Sequence, residues 1–184
     1  GIPAAMFMMQ SKTIIKSCAE SGMSVEQVFT VANKKLCEGN DAGMFVTAWM
    51  GILNVKTGKV LFANAGHNPP LVKHADGTYE YLKTRAGFVL AGMEGVRYRG
   101  NELELAPGDA IYLYTDGVTE ATDLKAELYG EDRLHTVLEK YKDAAPQVIC
   151  DEVKRDVDAF VGEAPQFDDI TMLSLKYNGE GESQ

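Results

Sequence analysis

The chain has 184 residues, 45% of them hydrophobic, enough for one domain with its own core. Eighteen basic against 27 acidic residues leave a net charge of −9, a surface that repels nucleic acid and anionic membrane and argues against both as partners. No apolar run approaches the roughly 18 residues of a membrane span, and three widely spaced cysteines (Cys18, Cys37, Cys150) fit reduced, buried thiols of a cytosolic domain better than disulfides or a Cys-x-x-Cys metal site.

The opening Gly1-Ile2-Pro3 lacks a Met and reads as the start of a piece cut from something longer. Pro3 suits a first helical turn, and Ala4, Met8, Ile15 and Cys18 continue an apolar stripe to Gly22. Met6, Met8 and Met9 fit a buried core helix better than a pliant docking surface. Ser24 with Gln27 three residues on predicts a capping box for a second helix, with Val25, Val28, Phe29, Ala32 and Leu36 as its stripe.

The period then falls to two. Met44 to Val55 reads as a strand, Lys56 to Lys59 as a turn and Val60 to Ala65 as the returning strand. Gly66-His67-Asn68-Pro69-Pro70 interrupts; His67 is expected to order a tight turn by hydrogen bonding to backbone, and Asn64 to pack in its strand. Leu71 to Lys73, an Asp76-Gly77 turn and Tyr79 to Leu82 predict a second hairpin. Arg97 and Arg99 flank Tyr98 on an edge-like strand. Glu102 to Leu105, a Pro107-Gly108 turn and Ala110 to Thr115 predict a third hairpin. Helices follow over Asp132 to Tyr141 and Pro146 to Val161, then a strand from Ile170 to Tyr177. His74, by a turn, and His135, on a helix, read as surface residues, and the polar end from Asn178 to Gln184 is expected to fray. Helices before and after a block of antiparallel strands predict an α+β fold, one domain over 1–178 with a tail over 179–184.

Two acidic points stand out. Asp116 follows the half-buried strand Ile111 to Tyr114, and Asp168-Asp169, after Phe167, precede the apolar run from Ile170. Out of context Asp116-Gly117 is an ordinary turn pair. Carboxylates at strand ends, however, are well placed to hold a hard cation, which relieves their mutual repulsion. Divalent metal and phosphate hydrolysis are the chemistry this suggests. A plain Ca²⁺- or Mg²⁺-stabilised scaffold fits less well, because no Asp-x-Asp-x-Asp loop occurs.

Five segments carry a resemblance. Ala63-Asn64-Ala65-Gly66-His67-Asn68-Pro69-Pro70, Leu105-Ala106-Pro107-Gly108-Asp109, Leu113-Tyr114-Thr115-Asp116-Gly117-Val118-Thr119-Glu120-Ala121, Tyr129-Gly130-Glu131-Asp132-Arg133-Leu134 and Asp168-Asp169-Ile170-Thr171 occur in that order. Together they resemble the stage II sporulation protein E-type serine phosphatases, the bacterial branch of the metal-dependent PP2C-like enzymes. The resemblance implies an α-β-β-α sandwich of two antiparallel sheets flanked by helices, with a pair of Mn²⁺ or Mg²⁺ ions at one end. It makes Asp116 and Asp168 metal ligands, Asp169 a neighbour of the second ligand, and Gly117 adjacent to the site. Glu120, His67 and Asn64 become candidate supporting residues, and no catalytic side chain is implied beyond the metal ligands. The implied reaction is hydrolysis of phosphoserine or phosphothreonine by a metal-activated water.

Two acidic motifs that precede the first long helix in that family have no counterpart here, and Gly1 to Met8 resembles the segment just after them. The resemblance therefore implies a domain lacking its first strands, with at most one weak cation site, inactive alone and prone to dimerise over an exposed sheet edge. The implied substrate is a phosphorylated regulatory protein of the anti-sigma-factor-antagonist kind, met in the cytoplasm by a parent with room for a sensor or membrane segment upstream. The rival reading is a non-catalytic docking or dimerisation module with a degenerate phosphatase fold.

Overall fold

A computed structural model of the chain describes residues 2–85, 87–165 and 168–179. Gly1, Phe167 and the tail residues 180–184, named above, lie outside the described residues. In chain order the elements are α1 (Ile2–Glu20), α2 (Val25–Cys37), β1 (Ala48–Leu53), β2 (Lys59–Ala65), β3 (Leu71–Lys73) and β4 (Tyr79–Tyr81). There follow β5 (Asn101–Glu104), β6 (Ala110–Tyr114), α3 (Asp116–Thr119), α4 (Gly130–Lys140), α5 (Pro146–Val161) and β7 (Met172–Lys176). They divide between two compact units, 1–67 with 84–104 and 68–83 with 105–184.

In the first unit α2 buries the residues its periodicity selects, Val25, Val28, Phe29, Ala32 and Leu36. Each large one contributes roughly 1.5–3 kcal/mol by leaving water. At its start the Gln27 side chain accepts the Ser24 N–H at 3.0 Å. The face of α1 differs from the expected one. Phe7, Ser11 and Cys18 are buried, whereas Ala4, Met6, Met8 and Met9 are exposed. The aromatic ring of Phe7 sets the buried phase, and Ser11 can follow it inward because its hydroxyl donates to the Phe7 carbonyl at 2.8 Å.

The sheet of this unit has the order β1-β2-β5, antiparallel throughout, with Ala48 opposite Ala65 and Lys59 opposite Glu104. β1 is shorter than the predicted Met44–Val55 strand. The Asn40 side chain takes both backbone groups of Met44, donating to its carbonyl at 2.7 Å and accepting its N–H at 3.0 Å, and so occupies the groups a ladder would use. Arg97 to Arg99 form no strand; Tyr98 is buried instead, edge-on to Phe29 with ring centroids 5.7 Å apart.

The second unit holds the sheet β4-β3-β6-β7, also antiparallel, packed with α4 and α5 through Tyr112, Leu134, Leu138 and Val153. Hairpin β3–β4 forms as expected, whereas the third hairpin does not. β5 pairs with β2, and β6 pairs with β3 and β7, so the strands flanking Pro107-Gly108 are not partners. The turn itself exists: Asp109 Oδ2 accepts the Ala106 N–H at 2.8 Å, and Gly108 N–H donates to Tyr177 at 2.7 Å. Turn chemistry is local, and strand partnership is not.

The architecture is thus α+β with two antiparallel sheets. All three cysteines are free thiols; Cys18 is buried, and Cys37 and Cys150 are half-buried rather than fully so. Burial raises the thiol pKa of both half-buried cysteines, which makes them poor metal ligands and poor nucleophiles. No described helix is long and apolar enough to cross a membrane.

Candidate metal centre

β6 runs beside β7 until Tyr114 faces Met172. One residue further the ladder changes character. Thr115 N–H donates to the Thr171 carbonyl at 3.0 Å, but the returning Thr171 N–H donates to the Thr115 hydroxyl, Oγ1, also at 3.0 Å. The Thr115 carbonyl instead accepts the Val118 N–H at 3.0 Å and opens α3. The chain therefore leaves the sheet with Asp116 as its first helical residue. The same Thr115 hydroxyl donates to the Asp169 carbonyl at 3.1 Å.

Both acidic points are braced by neighbouring amides. Asp116 Oδ1 accepts the Gly117 N–H at 3.0 Å, and Asp168 Oδ1 accepts the Asp169 N–H at 2.7 Å. Gly117 is buried, and a methyl group on its Cα would overlap the Asp169 carbonyl oxygen, with the Asp168 carbonyl carbon 3.4 Å away. The absence of a side chain lets the two acid-bearing segments touch. Asp116, Asp168 and Asp169 are all exposed, a clustering of like charge that a cation would relieve.

Gly117 and the three acids thus lie together in the second unit. Glu120 adjoins them through its backbone, its N–H donating to the Asp116 carbonyl at 2.7 Å, while its side chain is exposed. Asn64 and His67 belong to the first unit. There Asn64 packs in β2 as expected, buried, and its side chain also orders the turn, the amide donating to the His67 carbonyl at 2.9 Å and accepting the His67 N–H at 2.8 Å. An Asn amide holds its donor and acceptor side by side and so matches the N–H and C=O of one residue, whereas the two ring nitrogens of an imidazole point apart. The His67 ring contacts the Thr47 hydroxyl through Nδ1 at 3.3 Å. His74 pairs with Glu80 at 3.0 Å near the surface, whereas His135 is half-buried with Nε2 3.2 Å from the Tyr79 carbonyl. A cavity of about 580 Å³ between α4 and α5 includes none of the three acids in its lining.

The donor chemistry suits a hard divalent cation, since carboxylate oxygens held by backbone amides are its usual ligands. The number of donors falls short. Among the described residues no group of three His, Cys, Asp or Glu side chains is placed to hold an ion. Sequence reasoning passed over Thr115 and Thr171, whose stitch spans 56 residues of chain. The available signal was a hydroxyl residue directly before an Asp-Gly pair, a common helix N-cap pattern.

Comparison with known proteins agrees with this fold. A family model of stage II sporulation protein E (SpoIIE) matches residues 1–178. Phosphoserine phosphatase RsbU of Bacillus subtilis (strain 168) is 30% identical over 179 residues, covering 96% of this chain and 52% of that protein. The SiaA-PP2C domain of Pseudomonas aeruginosa superposes with a TM-score of 0.81 at 22% identity, covering 96% of this chain and 71% of that one. A more distant structure with the same fold, the catalytic domain of the serine threonine protein phosphatase PstP in complex with 2 manganese ions, gives a TM-score of 0.60 at 14% identity, over 89% of this chain and 79% of that one. The chain spans about half the length, or less, of the curated relatives it matches. It belongs to the stage II sporulation protein E family of PP2C-like phosphatase domains.

Proposed function

We propose that residues 1–178 act as a metal-dependent protein serine/threonine phosphatase domain, with Asp116 and Asp168 giving carboxylates to a divalent-cation site. Asp169 supports Asp168 from the adjoining peptide. The observation that carries this reading is the contact of Gly117 with the Asp168–Asp169 backbone, which sets two acid-bearing strand ends side by side without an intervening side chain. Mn²⁺ or Mg²⁺, when bound, would supply charge for the phosphoryl oxygens and a more acidic water. The protein's own contribution is to fix the carboxylates, which Gly117 and Asp169 N–H do through Asp116 Oδ1 and Asp168 Oδ1.

The substrate in this reading is a phosphoserine or phosphothreonine on a cytoplasmic regulatory protein of the anti-sigma-factor-antagonist kind. The name of RsbU, a phosphoserine phosphatase, supports the phosphoserine. Two or three carboxylates are fewer than a two-cation centre needs, so the remaining ligands come from outside the described residues and this chain alone turns over no substrate. The same shortfall favours a second reading, a docking module that keeps the fold without the reaction.

The test is Mn²⁺-dependent phosphate release from a phosphoserine protein by the intact protein, beside its Asp116→Asn variant. Activity that requires Mn²⁺ and falls on the order of 10²-fold in the variant is expected for a lost metal ligand. Undiminished activity in the variant removes Asp116 from the site, and no metal-dependent activity in the wild type favours the docking module.

A further inference from the structure

We propose that Thr115 is the positioning residue of this site, its hydroxyl standing in for a β-ladder carbonyl so that the chain can turn out of the sheet at Asp116 while staying fastened to the Asp168–Asp169 segment. The inference rests on reading Asp116 and Asp168 as cation ligands. In an ordinary antiparallel ladder the Thr171 N–H would be answered by the carbonyl of Thr115, the residue opposite it. Here that carbonyl is spent on Val118 N–H, at the start of α3. Without a substitute acceptor the exposed Thr171 N–H would turn to water, and this tie between the two segments would be lost. The hydroxyl accepts that N–H at 3.0 Å and donates its own proton to the Asp169 carbonyl at 3.1 Å, so one oxygen ties both residues that flank Ile170.

The chemistry of the position is narrow. A hydroxyl one carbon from the backbone both accepts and donates within this short span. Serine keeps the group; valine keeps the shape and loses it. Loss of the stitch leaves only the Thr115 N–H bond to the Thr171 carbonyl between these residues and loosens the Asp168–Asp169 segment beside Asp116, although both carboxylates remain. Thr115 itself touches neither substrate nor reacting atoms in this proposal; it acts by holding the two acids in one geometry.

The experiment uses the intact protein and measures Mn²⁺ binding by the loss of the free-ion electron paramagnetic resonance signal, with thermal melts alongside. Thr115→Val is expected to weaken Mn²⁺ binding about 10- to 100-fold, the usual effect of removing a group that orients metal ligands. Thr115→Ser is expected to bind as the wild type does. Thr136→Val, which removes a helix hydroxyl bonded at 2.8 Å to Asp132 O in the same unit, should leave binding unchanged. Mn²⁺ binding by Thr115→Val equal to the wild type overturns the proposal. So does an equal loss in Thr115→Ser, which would place the effect in the methyl group; that variant decides the matter even if valine does not fold. A wild type that binds no Mn²⁺ overturns the cation reading itself, and the proposal with it, and is told apart from the other outcomes by the unmutated protein alone.

Discussion

Gly117 shows how one absent side chain can hold a site together. Its Cα lies so close to the Asp169 peptide that alanine must push the Asp168–Asp169 segment away or bend α3. The neighbour in the way is backbone, which yields less readily than the tip of a flexible side chain. Gly117→Ala should therefore destabilise the protein by about 1–3 kcal/mol, the usual cost of overpacking. For a chain of this length that is a fall of roughly 2–4 °C in melting temperature per kcal/mol. Differential scanning calorimetry reads it directly, and an alanine variant that melts with the wild type would mean the two segments do not touch in solution.

At the scale of elements, a buried amide links α2 to the segment around Ala91 in the first unit. Asn33 on α2 accepts the Ala91 N–H at 2.8 Å and donates to the Met93 carbonyl at 2.9 Å, while Tyr98 OH lies 3.3 Å from its oxygen. These bonds hold Ala91 at φ 65°, a left-handed conformation unfavourable for a residue with a Cβ. Asn33→Ala would orphan a buried N–H and a carbonyl together, a cost of about 2 kcal/mol or more. Urea denaturation should show a lower midpoint; an unchanged midpoint would mean water answers both groups. Asn33 also marks the limit of reading elements from sequence. The α2 stripe is legible because its residues are three and four apart and face one way. Asn33 sits among them as a polar residue whose partners lie about 60 positions away, which no local pattern encodes. The same reason separates the legible Asp116 and Asp168, acids at strand ends, from the Thr115–Thr171 stitch between them. The third hairpin failed in kind: Pro107-Gly108 is a true turn signal, but the partners of β5 and β6 are chosen by sheets elsewhere in the chain. The four residues of α3 are too few to show a helical period.

At the scale of the whole molecule, each unit carries a tyrosine that ties its stability to alkaline pH. Tyr98 lies in the core of the first unit and Tyr79 in that of the second. Burial pushes both phenols from 10.0 up to about 12, with Cys37 adding to the effect on Tyr98 and Asp143 to that on Tyr79. Burial also raises Tyr112 and Tyr129. A raised phenol is neutral in the fold and ionised in the unfolded chain between those two values, so the unfolded state binds fewer protons there. Stability must then fall as pH rises across that window, and it is fully present below pH 10. The loss is on the order of 2 kcal/mol for each of Tyr79 and Tyr98. Denaturation midpoints should stay level in this respect up to about pH 10 and drop toward pH 12, and Tyr79→Phe should flatten part of the drop. Phenolate absorbance gives the independent check: of eight tyrosines, Tyr79, Tyr98, Tyr112 and Tyr129 should ionise late or only as the protein unfolds. If all eight titrated together near their ordinary value in the folded protein, both cores would have to be far wetter than the packing of Tyr79 and Tyr98 allows.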